Sequence, residues 1–101
     1  MESIRQIVKD LRLHAVHIHD SRRCWGPGFP DLFVTGIGGH LFAECKVGPN
    51  GLSSNQLGWK YALQAAGLRW TLWTPDDLIK GRITRTLIEI AATGRLAPYE
   101  H

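Results

Sequence analysis

Ile4, Ile7, Val8 and Leu11 recur at i, i+3, i+4 and i+7, so one apolar stripe runs along residues 3–13 and predicts an amphipathic helix. A period of two then takes over. Val16 and Ile18 alternate with His17 and His19, the pattern of a strand over 15–20. Gly26, Pro27, Gly28 and Pro30 make 21–30 a loop. Residues 32–35 read as a short strand, Gly36, Gly38 and Gly39 supply a hairpin turn, and 41–47 returns as the second strand before Gly48-Pro49-Asn50-Gly51 ends it. A helix is expected over 53–66, with Ser53 as N-cap and Gly67 where a C-terminal glycine belongs. Residues 68–74 are rich in β-formers and read as a buried strand. Pro75-Asp76-Asp77 opens a short helical turn, and Ile83, Leu87, Ile90 and Ala91 place a last helix over 83–92. The order α-β-β-β-α-β-α-α predicts a mixed α/β layered domain.

A chain of 101 residues fits one domain with a core of modest stability. Twelve Lys and Arg against nine Asp and Glu give a formal charge of +3 and a pI near 9.2, a basic excess compatible with a polyanionic partner. The spacing of Cys24 and Cys45 matches no metal-binding pattern, so both read as free thiols of a reducing compartment. No apolar run approaches a membrane span, and charged residues interrupt the N-terminal apolar positions that a signal peptide would need. A cytoplasmic protein without membrane contact is therefore expected.

Chemistry concentrates in Gly28-Phe29-Pro30-Asp31-Leu32 and Phe42-Ala43-Glu44-Cys45-Lys46. Residues i and i+2 of a strand share a face, so Glu44 and Lys46 project together while Ala43, Cys45 and Val47 face the core. A hairpin turning near 36–39 pairs positions whose numbers sum to about 75, which sets Asp31 opposite residue 44. Two carboxylates and an ammonium would then meet at one spot. Mg²⁺ is commonly held by one or two carboxylates plus substrate phosphate. A lysine nearby can orient or deprotonate the attacking water and stabilise an anionic transition state. The alternative is a plain surface ion pair between Glu44 and Lys46, with Asp31 ending a turn. The Pro30-Asp31 pair upstream and the glycine turn between favour a site.

With these residues the sequence resembles the PD-(D/E)XK nuclease superfamily and, within it, the VRR-NUC branch, which includes stand-alone phage and bacterial nucleases and the nuclease domain of a DNA-repair enzyme. The matching pieces are 27–32, Glu44-Cys45-Lys46, Leu52-Ser53-Ser54-Asn55-Gln56, and the strand 70–74 leading into Pro75-Asp76-Asp77-Leu78, so the resemblance covers about residues 1–80 of a single domain, with 81–101 as a helical extension. It implies a restriction-endonuclease-like α-β-β-β-α-β core with a mixed sheet flanked by helices, and metal-dependent endonucleolytic cleavage of DNA, with branched or junction DNA favoured. It also implies that Asp31 and Glu44 bind Mg²⁺ or Mn²⁺ with the backbone carbonyl of Cys45, that Lys46 is catalytic, and that Gln56 lies near the site. Many members carry a metal-binding glutamate on the first helix. Here the only nearby candidate is Glu2, roughly 180° from the apolar stripe and so expected to face solvent. A non-catalytic nucleic-acid-binding subunit and a nuclease acting on RNA are the other readings of the same residues.

Weaker signals border this constellation. Ser53-x-x-Gln56 is also a capping box. Arg22, Arg23 and Trp25, in the glycine-rich loop before Asp31, could bind phosphates and stack on an unpaired base. A zinc site at His14, His17 and His19 would need further ligands, and these histidines are expected to border the cleft or face solvent. Trp59, Trp70 and Trp73 read as core or interface aromatics. A homodimer would give so short a chain two sites and a longer basic track.

Overall fold

The computed structural model describes residues 2–18 and 27–91, without the side chain of Glu2. The elements are α1 (Glu2–Asp10), β1 (His14–His17), β2 (Leu32–Gly36), β3 (Gly39–Cys45), α2 (Ser54–Ala65), β4 (Trp70–Trp73), α3 (Pro75–Ile79) and α4 (Arg82–Ala91). They form a mixed four-stranded sheet in the order β1-β2-β3-β4. The first three strands are antiparallel, and β4 runs parallel to β3. Parallel neighbours need a crossover, and α2 supplies it. Among the described residues no helix is long and apolar enough to cross a membrane.

Every expected element is present, with shifted ends. The stripe of α1 continues in sequence to Leu11, but the helix stops at Asp10 because Arg12 takes φ 57° and turns the chain into β1. Leu11 and Leu13 still pack against the core. The expected pairing sum holds through the hairpin, from Leu32 opposite Ala43 to Gly36 opposite Gly39. Ser53 caps α2, with its side chain accepting from the Gln56 amide, and Gly67 takes φ 82° just beyond the helix.

Leu32, Val34, Leu41, Ala43 and Trp73 line one face of the sheet and are buried beneath Ile4 and Val8 of α1 and Ile83, Leu87 and Ile90 of α4. Helix α4 also closes the hairpin tip, where the Gly38 amide donates to the Ile90 carbonyl at 2.7 Å. A Cβ on Gly36 would stand 2.7 Å from that carbonyl oxygen and 2.5 Å from Leu13, so only glycine fits. The other face is partly covered by α2 through an aromatic stack. Trp59 meets Phe29 edge-on at 4.9 Å, and Phe29 meets Phe42 at 5.7 Å.

Two expectations about strands are corrected. Val47 is 78% exposed rather than core-facing, because β3 ends at Cys45 and the last contact with β4 is the Lys46 amide donating to the Trp73 carbonyl. The 68–74 strand is not fully buried. As β4 it forms the sheet edge, so Trp73 is buried and Leu72 is exposed.

Candidate active site

Asp31 precedes β2 and is fixed from three sides. Pro30 beside it is fully buried. Gly28, at φ 88°, lies so close to Asn55 of α2 that a Cβ would come within 2.6 Å of its backbone, which pins the approach to Asp31. The Asp31 carbonyl accepts from the Ile18 amide at 2.6 Å, carrying the β1–β2 ladder one step past His17 opposite Leu32. Its side chain then does what a backbone carbonyl does elsewhere in a sheet: Oδ2 accepts from the Cys45 amide at 3.0 Å. That bond holds Asp31 against the end of β3, next to Glu44.

Glu44 is the one buried ionisable side chain among the described residues, only 3% exposed. It follows Ala43 and so projects to the opposite face of the sheet, the face of Phe42. Its carboxyl is pushed up to about 8, first by burial, then by its hydrogen bond to Asp31 and the negative charge there; the Lys46 ammonium pulls partly the other way. A neutral Glu44 thus donates its proton to Asp31, as expected of two carboxyls that cannot both ionise at contact distance in a dry site. The structure brings Asp31, Glu44 and Lys46 together, as their pairing predicts.

The Cys45 thiol is pushed up to about 11, by burial and then by the charges of Asp31 and Glu44. Without a bound cation it stays protonated at neutral pH and is a poor nucleophile. Lys46 is half-buried and lines a cavity of about 220 Å³ with Cys45, Trp73 and Ile4. The start of α1 therefore adjoins this end of the sheet.

The donor set fits a hard divalent cation. A proton shared between two carboxyls marks a place where negative charge lacks a partner, and displacing it with a cation would remove both the repulsion and the burial penalty. Asp31 and Glu44 would hold such an ion. Among the described residues no group of three or more His, Cys, Asp and Glu converges, so water and substrate phosphate would complete the shell. Gln56 adopts the capping role, its Oε1 accepting from the Ser53 amide at 2.8 Å. Arg22, Arg23, Trp25, His19 and Cys24 lie outside the described residues. Sequence reasoning missed the Asp31–Cys45 bond, for which periodicity holds no signal. It also missed the Thr74–Asp77 capping box, which the T-P-D-D string spells out.

The chain matches no protein-family model and no curated protein. Among solved structures it is similar to Hjc, a Holliday junction resolvase from the archaeal hyperthermophile Archaeoglobus fulgidus, with a TM-score of 0.50 and 17% identity over 74% of this chain and 68% of that one. That likeness concerns the fold alone: four mixed strands with flanking helices make this a restriction-endonuclease-like α/β domain.

Proposed function

We propose that the chain is a structure-specific, Mg²⁺- or Mn²⁺-dependent endonuclease of the PD-(D/E)XK superfamily, VRR-NUC-like, that hydrolyses phosphodiesters in DNA. One observation carries the reading: the buried Glu44 carboxyl is hydrogen-bonded to the half-buried Asp31 carboxyl, with the Lys46 ammonium nearby, at the end of the hairpin of a resolvase-like fold. Core burial of an acid costs stability, and a cation-dependent site is a physical reason to keep it there.

In this reading Asp31 and Glu44, with the Cys45 carbonyl, would hold the divalent cation, which when bound would supply activation of water and offset charge developing on the phosphate. The Cys45 amide keeps Asp31 Oδ2 in place throughout. Glu44 would hold the ion as a carboxylate, its proton passing to solvent water. Lys46 orients or deprotonates the attacking water and stabilises the added negative charge on the phosphate oxygens. Gln56 acts beside the site as well as capping α2. Arg22 and Arg23 grip phosphates, and Trp25 stacks on an unpaired base. A homodimer in the cytosol of a bacterium or an infected host would present two such sites to branched DNA.

The substrate class is tested by incubating the protein with Mn²⁺ and labelled duplex, single-stranded, flapped and four-way DNA beside sequence-matched RNA. Faster cleavage of branched DNA is expected. Equal cleavage of RNA would move the reading to a general nuclease, and tight binding with no cleavage of any member would leave a binding subunit.

A further inference from the structure

A second feature of the fold lies on the other side of the sheet edge. Between α1 and β1 runs a groove of about 570 Å³ whose floor includes Val8 and Leu32 and whose rim carries Arg5, Lys9, His14 and His17. No acidic side chain lines it among the described residues. The charge pattern of α1 explains this. Arg5 and Lys9, at i and i+4, flank the apolar stripe on the Val8 side, whereas Gln6 and Asp10 are bonded to each other at 2.8 Å on the far side. Among its described side chains the helix therefore presents cations to the β1 edge and Asp10 elsewhere. Arg5 and Lys9 stand about 6 Å apart along the helix axis.

The groove is joined to the carboxyl pair at two points. His17 on its rim sits opposite Leu32, the residue after Asp31, and the next residue, Ile18, bonds the Asp31 carbonyl. Ile4 lines both this groove and the cavity that holds Lys46. Among the described residues strand β1 is the edge of the sheet, so the groove lies at that edge.

We propose that the α1–β1 groove binds the phosphate backbone of the nucleic acid strand that leads to or from the carboxyl pair, with Lys9 and His14 as its exposed contacts. The inference rests on the nuclease reading for its substrate and adds the surface that grips it. A cationic rim with no acid among the described residues favours a polyanion, and contacts of this kind position a strand without reading its sequence.

The test uses the full chain in EDTA, where no cleavage intervenes, and short labelled duplex DNA followed by fluorescence anisotropy over a salt series. Lys9→Glu and His14→Glu change exposed residues. Lys80→Glu, at an exposed lysine that pairs with Asp76, carries the same charge change as Lys9→Glu and serves as its control. Lys9→Glu and His14→Glu are expected to weaken binding roughly tenfold at low salt, and loss of the Lys9 contact should lower the slope of log K against log salt by about 0.9. Lys80→Glu should do neither. Wild-type affinity in Lys9→Glu, or equal weakening by Lys80→Glu, would overturn the groove. So would the absence of wild-type binding. Cleavage by the wild-type protein is read separately: cutting that persists with an unchanged Lys9→Glu affinity overturns the groove alone, whereas Lys9-dependent binding without cutting under any metal overturns the nuclease reading alone.

Discussion

Replacing Glu44 with glutamine should stabilise the metal-free protein at neutral pH. Glu44 is buried and titrates near 8 in the fold, against 4.5 when unperturbed. Its folded pKa is raised, so its contribution to stability is fully present below about pH 4.5 and is lost progressively as pH rises towards 8. One pKa unit is worth about 1.4 kcal/mol, and roughly two and a half units lie between 4.5 and pH 7, which sets a ceiling near 3 kcal/mol. The repulsion is shared with Asp31, so an advantage of about 2 kcal/mol for Glu44→Gln is expected, or roughly 10 °C in melting temperature for a domain of this size. Glutamine keeps the shape and can still donate to Asp31. The assay is thermal unfolding of both proteins in EDTA from pH 5 to pH 8.5, followed by circular dichroism. Other groups that titrate in this window cancel in the difference between the two curves. That difference should be small at pH 5, widen up to about pH 8 and then level off. Added Mg²⁺ should raise the wild type selectively, because it binds only a folded, ionised pair. A difference that does not change with pH, or a Glu44→Gln protein less stable than wild type at pH 7.5, would refute the buried, proton-sharing pair.

Other substitutions probe separate parts of the structure. Lys46→Ala should retain metal binding by calorimetry yet lose a factor of about 10²–10³ in single-turnover cleavage, a loss typical of removing one charge-stabilising group. Gly36→Ala should cost about 1–3 kcal/mol in urea unfolding, since the added Cβ meets the Ile90 carbonyl and Leu13 with no room to move. Leu87→Ala, in the middle of the core, should cost about 2–5 kcal/mol in the same assay. Ser53→Ala should lose about 1 kcal/mol by removing the α2 cap.

Much of the fold and the main cluster was legible because local patterns and tertiary demands agree. The hairpin glycines fix the turn, the turn fixes the pairing sum, and the sum puts Asp31 opposite Glu44 without further information. The Ser53 cap and the glycine after α2 likewise act within a few residues of where they stand. What escaped depends on contacts far apart in sequence. That Glu44 is buried is a tertiary outcome, and alternation alone would have put it in solvent. The exposure of Val47 and Leu72 follows from where pairing stops and which strand is last, and hydropathy does not encode sheet order. The α1–β1 groove needed the strand to be placed beside the helix before Arg5 and Lys9 could be seen to share a rim with His14.

The most direct test of the central claim is single-turnover cleavage of a labelled four-way DNA junction by wild-type protein, Asp31→Asn, Glu44→Gln and Lys46→Ala, each with Mg²⁺, Mn²⁺ or EDTA and each checked for an intact fold. Cleavage by the wild type in metal alone, abolished in both carboxyl variants and strongly slowed in Lys46→Ala, is the predicted result. Metal-independent cutting, or a folded Glu44→Gln protein that cuts at the wild-type rate, would contradict it.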